Sequence, residues 1–356
     1  MNLSTIEDMP VQKTENSRIH ELDPANIQFG KLYSDHMLCA SYADGQWGTP
    51  NIQPYGNISL SPATTFIHYG QAIFEGVKAY RQQDGSVKIF RPGENWKRMN
   101  RSAKRMGMPD IPEEIFVDGM RQVIDLDRDW VPAAEGASLY IRPFMFATDE
   151  YIGVKPAEQF EFMIITSPAG PYYSKPVSIY VQDKYVRAFP GGIGFTKAAG
   201  NYGMSMYPTM QIRKMGYDQI LWIDGLEHKY VQEIGTMNVF FIIDGKACTP
   251  DITETILSGV TRDSVITLLR NKGVEVEERP ISIHELAVAH REGRLTEAFG
   301  TGTAASIAPI ASFTYNEERM ELPPVAAWEV TNWLNKELAD IRYGRKEDVY
   351  GWMMEV

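Results

Sequence analysis

Short apolar runs and helically spaced apolar positions succeed each other along the chain and predict a mixed fold of strands and helices. Strand-like runs occupy Met37–Tyr42, Ser138–Ala147, Val177–Val181, Gln219–Ile223 and Val239–Ile243. Two further runs, Gly76–Arg81 and Val87–Phe90, flank Gln83-Asp84-Gly85 and predict a β-hairpin. Helical spacing extends over Asn95–Met106, Pro112–Leu126, Thr261–Lys272, Ile283–Glu292 and Val325–Leu338. The fold class is therefore α/β or α+β, without the regular βαβ repeat of a Rossmann sheet.

The helix predicted over Thr261–Lys272 has the clearest ends. Thr261 is expected to cap its first turn, and Gly273 follows its last residue. A chain of 356 residues is long for one core, which favours two domains. The string SPAGPYYSKP at 167–176 carries three prolines and a glycine, typical of a linker. We expect a smaller N-terminal domain over 1–170, with residues 1–25 as a mobile arm, a linker at 171–176 and a larger C-terminal domain over 177–356.

Charge and cysteine usage exclude several functions. The formal net charge of −11 disfavours nucleic acid and anionic membranes as partners, so a small anionic ligand needs a local positive site. Only Cys39 and Cys248 occur, which argues against a disulfide framework or a cysteine metal cluster, and we predict no metal site. No apolar run reaches the roughly 18 residues of a membrane span. The N-terminal residues do not resemble a secretion signal, so a cytoplasmic location is expected.

Lys197 stands in FTKAAGNYG (195–203), a run of small residues without a nearby carboxylate. Most lysines of this kind are surface charges. The alternative is a desolvated amine beside a glycine-rich wall, which can condense with an aldehyde. In that case Tyr202 is placed to hold the phenolic oxygen of a flat ring. Both interpretations stay open on the residues alone.

Glu233 lies in YVQEIGTMNVFFI (230–242), a run that otherwise predicts a buried strand. A carboxylate there either reaches solvent at a strand end, pairs with a buried cation, or meets a ligand nitrogen. If that nitrogen belongs to a pyridine ring, the carboxylate keeps the ring protonated and strengthens it as an electron sink.

Three places are candidates for binding a phosphate. The backbone N–H groups of Val260 and Thr261 open the best-predicted helix, although a plain helix cap explains the same residues. Thr303 lies in FGTGTAAS (299–306), a small-residue turn of a common type, and Arg91 follows the second hairpin strand. The other basic residues of the helix that follows are expected on a solvated face, namely Arg98, Arg101, Lys104 and Arg105. An imine-forming amine, a ring-nitrogen partner and phosphate donors together make up a pyridoxal-phosphate site.

At these positions the sequence resembles the branched-chain aminotransferases, which are fold type IV pyridoxal-phosphate enzymes. The resemblance spans nearly the whole chain after the first residues, in the family's order. It rests on HYGQAIFEGVKAYR (68–81), FRPGENWKRMNRSAKRMGMP (90–109), LYIRPFMFATDE (139–150), KAAGNYGMS (197–205), DQILWIDG (218–225), VQEIGTMNVFF (231–241), SGVTRDSV (258–265) and FGTGTAASIAPI (299–310).

The resemblance implies a role for each matching residue. Lys197 is implied as the Schiff-base lysine that moves the substrate proton, and Tyr202 and Glu233 as partners of the cofactor's phenolic oxygen and pyridine nitrogen. Arg91, Val260, Thr261 and Thr303 are implied to bind its phosphate. Backbone N–H groups at Thr303 and Ala304 would receive the substrate carboxylate. Side chains implied to line the substrate pocket are those of Tyr69, Phe74, Tyr140 and Thr236, with Arg142 accepting the distal carboxylate of glutamate.

The resemblance further implies a two-domain fold of the D-amino acid aminotransferase type, with the cofactor at the domain interface and a homodimer completing the active sites. The implied reaction exchanges the amino group of L-leucine, L-isoleucine or L-valine with 2-oxoglutarate in a ping-pong mechanism. One departure is that Ala305 and Ala308 stand where some members carry a CxxC redox pair. Two alternatives stay open: another fold type IV enzyme, such as a D-amino-acid transaminase or an aminodeoxychorismate lyase, and a cofactor-binding protein without turnover.

Overall fold

The computed structural model describes residues 9–173 and 175–356, and the chain divides into two compact units. The first unit contains Met1–Tyr172, Thr196–Gly200 and Asp340–Val356, and the second contains Tyr173–Phe195 and Asn201–Ala339. Two segments from the second half therefore group with the first unit, although the sequence assigned all of 177–356 to one domain. The reason is backbone pairing: Ala198 bridges to Ile73, and the C-terminal strand pairs with Val87–Phe90.

The first unit is built on a sheet of nine strands within the described residues, and its strand pairs are antiparallel. The strands are β1 (His36–Ala43), β2 (Gln46–Trp47), β3 (Asn51–Pro54), β4 (Ala72–Phe74), β5 (Val77–Arg81), β6 (Val87–Phe90), β7 (Ser138–Ala147), β8 (Phe160–Ala169) and β18 (Met353–Glu355). The order is β18-β6-β5-β7-β8-β1-β2, with β3 on β1 and β4 on β7. The predicted hairpin is confirmed as the antiparallel pair β5 and β6.

The helices of the first unit include one that departs from its prediction. The α-helices are α1 (Thr65–Tyr69), α2 (Pro92–Arg105) and α3 (Gly119–Leu126). The segment predicted as a single helix over Pro112–Leu126 begins with a π-helical turn at Glu114–Asp118 and continues as α3. Gly119 lies where a Cβ would overlap the Leu38 side chain of β1, so the glycine permits close packing of α3 on the sheet.

The second unit is built on another nine-stranded sheet within the described part of the chain, with parallel and antiparallel pairs. Its strands are β9 (Val177–Gln182), β10 (Gln219–Ile223), β11 (Val231–Ile234), β12 (Asn238–Ile243), β13 (Lys246–Thr249), β14 (Val276–Glu278), β15 (Leu295–Gly302), β16 (Ser306–Tyr315) and β17 (Glu318–Glu321). The order is β11-β10-β9-β16-β15-β12-β13-β14, with β17 on β16. All six residues of β12 are buried, which accounts for its nearly continuous apolar sequence.

Two of the helices that follow begin at other residues than predicted. The helices after residue 198 are α4 (Ala199–Gly203), α5 (Met206–Lys214), α6 (Val260–Lys272), α7 (Ile283–Arg291) and α8 (Val330–Arg342). Gly259, rather than Thr261, is the N-cap of α6, because the helix begins one residue earlier than predicted; Gly273 ends it in the left-handed conformation, as expected. The helix predicted from Val325 is a short 3₁₀ turn at Val325–Ala327, and α8 itself begins at Val330.

The predicted N-terminal arm is only partly covered, since residues 1–8 lie outside the described residues. From residue 9 onward it contacts the first sheet: Ile52 exchanges backbone hydrogen bonds with Pro10 and Gln12. The Ser17 hydroxyl and the Arg18 backbone N–H both donate to the Asp35 carboxylate. These bonds hold this stretch against β3 and the start of β1. None of the helices in the described parts of the chain combines the length and apolar character that a membrane span requires.

Backbone N–H groups at the start of helix α8 donate to a buried carboxylate of strand β15. Glu297 of β15 is 5% exposed and accepts backbone N–H groups from Glu329, Val330 and Thr331 at 2.9, 3.0 and 2.7 Å. The Thr331 hydroxyl adds a fourth bond of 2.7 Å. The carboxylate thus occupies the positive end of the helix dipole and satisfies donors that the first helical turn leaves free.

Replacing this carboxylate tests its contribution to stability. We expect Glu297→Ala to lower the free energy of unfolding by about 2–4 kcal/mol, because several buried donors lose a charged acceptor. Glu329→Ala removes an exposed glutamate one residue before α8 and should change stability by less than about 0.5 kcal/mol. Urea denaturation followed by circular dichroism measures both, and equal effects of the two substitutions would contradict the capping role.

Candidate active site

Lys197 is held in place through its backbone. Its N–H donates to Ser102 Oγ on α2 at 3.0 Å, and its carbonyl accepts the Phe74 N–H at 3.0 Å. The following residue, Ala198, forms a β-bridge with Ile73 of β4. The half-buried side chain places Nζ 5.0 Å from the centre of the Phe74 ring. The amine therefore lies in a fixed position beside an aromatic wall instead of on a free loop.

A fully buried ion pair lies in the same unit. Glu75 follows Phe74, and its carboxylate accepts Arg98 Nε at 2.7 Å, Arg98 Nη2 at 2.8 Å and Asn95 Nδ2 at 2.7 Å. The expectation that Arg98 belongs to a solvated helix face is wrong, because its side chain is only 5% exposed and neutralises Glu75. The neighbouring Arg101, Lys104 and Arg105 are exposed, as expected.

Electrostatics keep Glu75 ionised despite its burial. Burial acts to raise the pKa of Glu75, but the charge and hydrogen bonds of Arg98, assisted by Lys197 and Asn95, outweigh it and hold the pKa below its ordinary value. Ser102 joins the pair to the lysine, since its hydroxyl donates to the Arg98 carbonyl at 3.2 Å and accepts the Lys197 N–H. The carboxylate is thus part of the support behind Lys197.

Arg142 lies on two aromatic rings near the lysine. Its guanidinium carbon is 4.7 Å from the centre of the Phe74 ring and 5.3 Å from that of Tyr140, and Nη2 donates to the Tyr140 hydroxyl at 2.9 Å. Its buried Nε has no hydrogen-bond partner among the described residues. Gly76 makes room for this arrangement, because a Cβ at that position would overlap the Tyr140 hydroxyl. Arg142 therefore combines stacking on apolar surface with an unused donor.

Arg91 adopts a backbone conformation that is unusual for a residue other than glycine. It is the N-cap of α2 with φ 50° and ψ 45°, in the left-handed region. Its N–H donates to the Trp352 carbonyl at 2.8 Å, and its guanidinium lies 5.3 Å from the centre of the Trp352 ring. Strained backbone of this kind is found preferentially at functional sites.

In the second unit, Glu233 is buried on β11, where a backbone N–H and an arginine contact its carboxylate. The Leu257 N–H donates to its Oε1 at 2.7 Å, and Arg187 Nε lies 3.3 Å from its Oε2. Arg187 is itself buried and donates to the carbonyls of Gly194 and Thr255. Arg187 thus compensates the charge of Glu233 within the buried surroundings.

The phosphate candidates of the second unit lie at a helix start and a strand turn. Val260 and Thr261 are the first two residues of the 13-residue helix α6, and both are buried. Asn238 supports the approach to the helix, since its Nδ2 donates to the Leu257 carbonyl at 2.8 Å. Thr303 and Ala304 form the half-buried turn between β15 and β16.

The remaining predicted residues differ in exposure. Tyr202 is half-buried on α4. Tyr69 is 43% exposed at the end of α1, and its hydroxyl donates to the Ile152 carbonyl. Thr236 is exposed in the turn between β11 and β12. The first unit thus brings together Lys197 and three predicted neighbours, Phe74, Tyr140 and Arg142, whereas Tyr69 and Thr236 lie at the surfaces of their own units.

Sequence reasoning missed Glu75, Arg98 and Arg187. The sequence contained a signal for Glu75 and for Arg98. Glu75 interrupts the apolar run AIFEGV, and Asn95 and Arg98 are three residues apart on one face of α2. Nothing local to Arg187 indicated its pairing with Glu233, which is far away in the chain.

Comparison with known proteins assigns the class. The family model "Amino-transferase class IV" matches residues 72–313. A "Probable branched-chain-amino-acid aminotransferase" of Staphylococcus epidermidis is 47% identical over 94% of this chain and 94% of its own. The "Branched-chain-amino-acid transaminase 1" of Bacillus subtilis is 45% identical over 94% and 95%. A solved branched-chain amino acid aminotransferase from Thermobaculum terrenum, in its "PLP-form (holo-form)", has a TM-score of 0.72 at 26% identity, covering 89% of this chain and 97% of its own.

The fold and these matches define a class IV aminotransferase, an enzyme class that depends on pyridoxal phosphate. Within that class, the chain belongs to the branched-chain-amino-acid aminotransferase family.

The buried pair on α2 can be tested by substitution. We expect Glu75→Gln to lower the free energy of unfolding by about 3–5 kcal/mol, because Arg98 is left buried without a counter-charge. The double variant Glu75→Gln, Arg98→Met should recover part of this loss. Urea denaturation at neutral pH measures all three proteins.

An exposed pair on the same helix is the control. Lys97 Nζ and Glu94 Oε1 are 2.8 Å apart, and the two side chains are 56% and 41% exposed. Glu94→Gln should therefore lower the free energy of unfolding by less than about 0.5 kcal/mol.

Because the folded pKa of Glu75 lies below its unfolded value, the stabilisation from Glu75 is complete above the unfolded pKa. This stabilisation is lost as the pH falls through the folded pKa. Glu75→Gln should therefore remove that part of the decrease in the free energy of unfolding at low pH. Equal costs of Glu75→Gln and Glu94→Gln would refute the role of the buried pair.

Proposed function

We propose that the chain transfers the amino group of L-leucine, L-isoleucine or L-valine to 2-oxoglutarate, giving branched 2-oxo acids and L-glutamate, with pyridoxal 5'-phosphate as cofactor. One observation carries the proposal: the ring of Phe74 lies 5.0 Å from Lys197 Nζ and 4.7 Å from the Arg142 guanidinium carbon. A reactive amine, an apolar wall and an arginine with an unused N–H thus meet at one side chain. That combination suits an enzyme whose substrates alternate between branched and acidic side chains.

The chemistry of the residues fits pyridoxal phosphate. Arg91 and the N–H groups of Val260 and Thr261, with Thr303, would hold the phosphate, since a helix N-terminus and a guanidinium both favour an anion. Glu233 is a buried carboxylate with one oxygen already fixed by a backbone N–H, as a partner for a pyridine nitrogen requires. Tyr202 would donate to the phenolic oxygen. When bound, the cofactor would supply an aldehyde carbon and an electron-withdrawing ring for the chemistry at the substrate Cα.

The chain's own residues then move one proton and orient the substrate. Lys197 Nζ would take the proton from the Cα of the amino acid, and in the second half-reaction it would deliver a proton to the carbon that becomes the Cα of glutamate. Its backbone bonds to Ser102 and Phe74 fix the direction from which the amine approaches. Backbone N–H groups at Thr303 and Ala304 would bind the substrate carboxylate, leaving the side chain to face the apolar wall.

The two substrates make opposite demands on the side-chain pocket. The rings of Phe74 and Tyr140 offer apolar surface to an isobutyl group. The half-buried guanidinium of Arg142 would offer N–H donors to the distal carboxylate of 2-oxoglutarate or glutamate. Stacking on both rings keeps the guanidinium beside the apolar wall when the branched substrate is bound.

Assembly and substrate choice complete the proposal. We expect a homodimer that completes each active site and a cytoplasmic location. Other fold type IV activities, a D-amino-acid transaminase or an aminodeoxychorismate lyase, are the alternatives. The names of the relatives, at 45% and 47% identity, favour the branched-chain activity. Loss of the cofactor's yellow absorbance on addition of L-leucine, but not of D-alanine, would separate these possibilities.

Lys197→Ala is expected to lower the rate with L-leucine and 2-oxoglutarate by at least about 10³-fold, because both the nucleophile and the base are lost. The absorbance band of the lysine-bound cofactor should disappear from the purified protein. Lys214→Ala, on α5, removes an exposed lysine and serves as the control. Turnover by Lys197→Ala at a rate near that of the unmodified protein would rule out the assigned role.

Arg142→Met should affect the two half-reactions unequally. We expect kcat/KM for 2-oxoglutarate to fall about 10- to 100-fold, as for the loss of charged hydrogen bonds. The half-reaction with L-leucine should change little, since methionine preserves the apolar wall. Stopped-flow absorbance of each half-reaction measures the split, with L-leucine as the internal reference. Equal losses in both half-reactions would contradict recognition of the distal carboxylate by Arg142.

A further inference from the structure

The N-terminal segment, defined here as residues 9–18, is bound to the first unit at a buried histidine. The Thr14 N–H donates to His36 Nε2 at 2.9 Å. The other ring nitrogen of His36, Nδ1, lies 2.6 Å from Asp127 Oδ1, and the His36 backbone N–H donates to Asp127 Oδ2 at 2.9 Å. His36 is 5% exposed and Asp127 is 3% exposed. This histidine–aspartate pair has no role in the proposed transamination.

The hydrogen bonds of His36 define one protonation state of its ring. A backbone N–H can only donate, so Nε2 has to accept and carries no proton while Thr14 is bound. The proton of the neutral ring is then on Nδ1, where the Asp127 carboxylate accepts it. A proton added to Nε2 would point at the Thr14 N–H, and two donors cannot form one hydrogen bond. Docking of the segment and protonation of Nε2 therefore exclude each other.

The charged groups around the ring favour the added proton once the segment has left. Asp127, just after α3, and Asp35, the residue before His36, are buried carboxylates on this side of the sheet. Arg18 is the nearby cation, and it belongs to the segment, since its Nη2 donates to two backbone carbonyls of the first unit. Release of the segment would thus remove a positive charge and leave two negative ones beside the ring.

The other titratable groups next to His36 do not change charge in the range in which histidines titrate, which is about pH 5–8. Burial acts to raise the pKa of Asp35, but hydrogen bonds from the Arg18 N–H, a serine and a tryptophan outweigh it and hold the pKa below its ordinary value. Burial raises the pKa of Tyr55, whose ring lies 5.3 Å from the Arg18 guanidinium carbon, so its phenol stays neutral. Residues 13 and 15, a lysine and a glutamate, are exposed.

We propose that His36 is a pH-dependent switch whose protonation at Nε2 releases the segment 9–18 from the first unit. The released state takes up one proton that the docked state cannot bind at this atom. Docking is therefore favoured at the upper end of the range in which histidines titrate, and it is lost as the pH falls through that range.

Release of the segment would uncover the edge of β3. Ile52 donates its N–H to the Pro10 carbonyl and accepts the Gln12 N–H, both at 2.9 Å, while β3 pairs with β1 along its other edge. Met9, which is 7% exposed in the docked segment, would become accessible as well. Free backbone groups along a strand edge can pair with another chain. The switch thus controls whether this edge of the sheet is covered.

A spin label on the segment measures its release in the holoenzyme. Lys13 is exposed and adjacent to Thr14, so Lys13→Cys can carry a nitroxide, whereas Cys39 and Cys248 are buried. We expect the mobile component of the electron paramagnetic resonance spectrum to grow as the pH falls from about 8 to about 5.5. The ratio of mobile to immobile label should rise by up to about tenfold per pH unit, as for uptake of one proton. A label at Lys214→Cys, on an exposed position of α5, should show no such change.

Two matched histidine substitutions separate the switch from other titrating groups. His36→Gln introduces an amide that does not titrate and whose oxygen can accept the Thr14 N–H, so the mobile fraction should no longer depend on pH. His20 is exposed two residues after the segment, and His20→Gln is the control that should keep the full pH dependence.

Because His36 is buried, Thr14→Pro is a further variant that leaves the core residues unchanged. Proline has no N–H, so the segment loses its bond to the ring, and protonation of the ring no longer competes with that bond. The label should therefore be more mobile at about pH 8 than in the unmodified segment, and acidification should add little. Far-ultraviolet circular dichroism and the cofactor's absorbance report whether each variant is folded.

A pH response in the unmodified segment and in His20→Gln, but not in Thr14→Pro or folded His36→Gln, would support the switch. A label that stays equally immobile down to about pH 5.5 in the unmodified segment would overturn it. The same conclusion would follow from an unchanged response in Thr14→Pro or in folded His36→Gln, or from loss of the response in His20→Gln.

Discussion

Two backbone hydrogen bonds hold Lys197, the lysine to which we assign the chemistry. A lysine amine sits on a flexible four-carbon stem, so it is useful only if the backbone that carries it is fixed. Here Phe74 and Ser102 fix that backbone, and Ala198 extends the contact into a bridge to β4. The same strand presents the aromatic ring beside Nζ. Position and environment of the amine thus come from β4 together with Ser102 of α2.

Each unit contains a buried pair of opposite charges. Glu75 is held by Arg98, and Glu233 lies against Arg187. Charges in an apolar interior are tolerated only with compensation, so each pair restricts the geometry of its surroundings. In the first unit that restriction reaches Lys197 through Ser102, and in the second it reaches Leu257, just before α6. Arg98 and Arg187 therefore support residues to which we assign a role in the proposed reaction.

The sequence predicted seven of the eighteen strands in the described residues, because alternation and short apolar runs are local signals. β7 and β10 were predicted with their observed ends, and β12 within one residue. Features that depend on distant partners could not be predicted from local sequence. They are the π-helical turn before α3, the start of α6 at Val260, and the burial of Arg98. The roles of Lys197 and its neighbours came from ordered motifs, whereas Arg187 pairs with Glu233 across a separation that no local pattern encodes.

The division of the chain has a consequence for modularity. Residues 196–200 belong to the first unit, although their flanking segments on both sides belong to the second. Gene fragments joined or exchanged at position 173 would take Lys197 and β4 from different parents, because the lysine is encoded after that position and the strand before it. Recombination between relatives should therefore preserve activity only when strand β4 and the segment around the lysine come from the same parent or from parents with matching contacts. The two halves of the gene are therefore not independent modules, although each unit is compact.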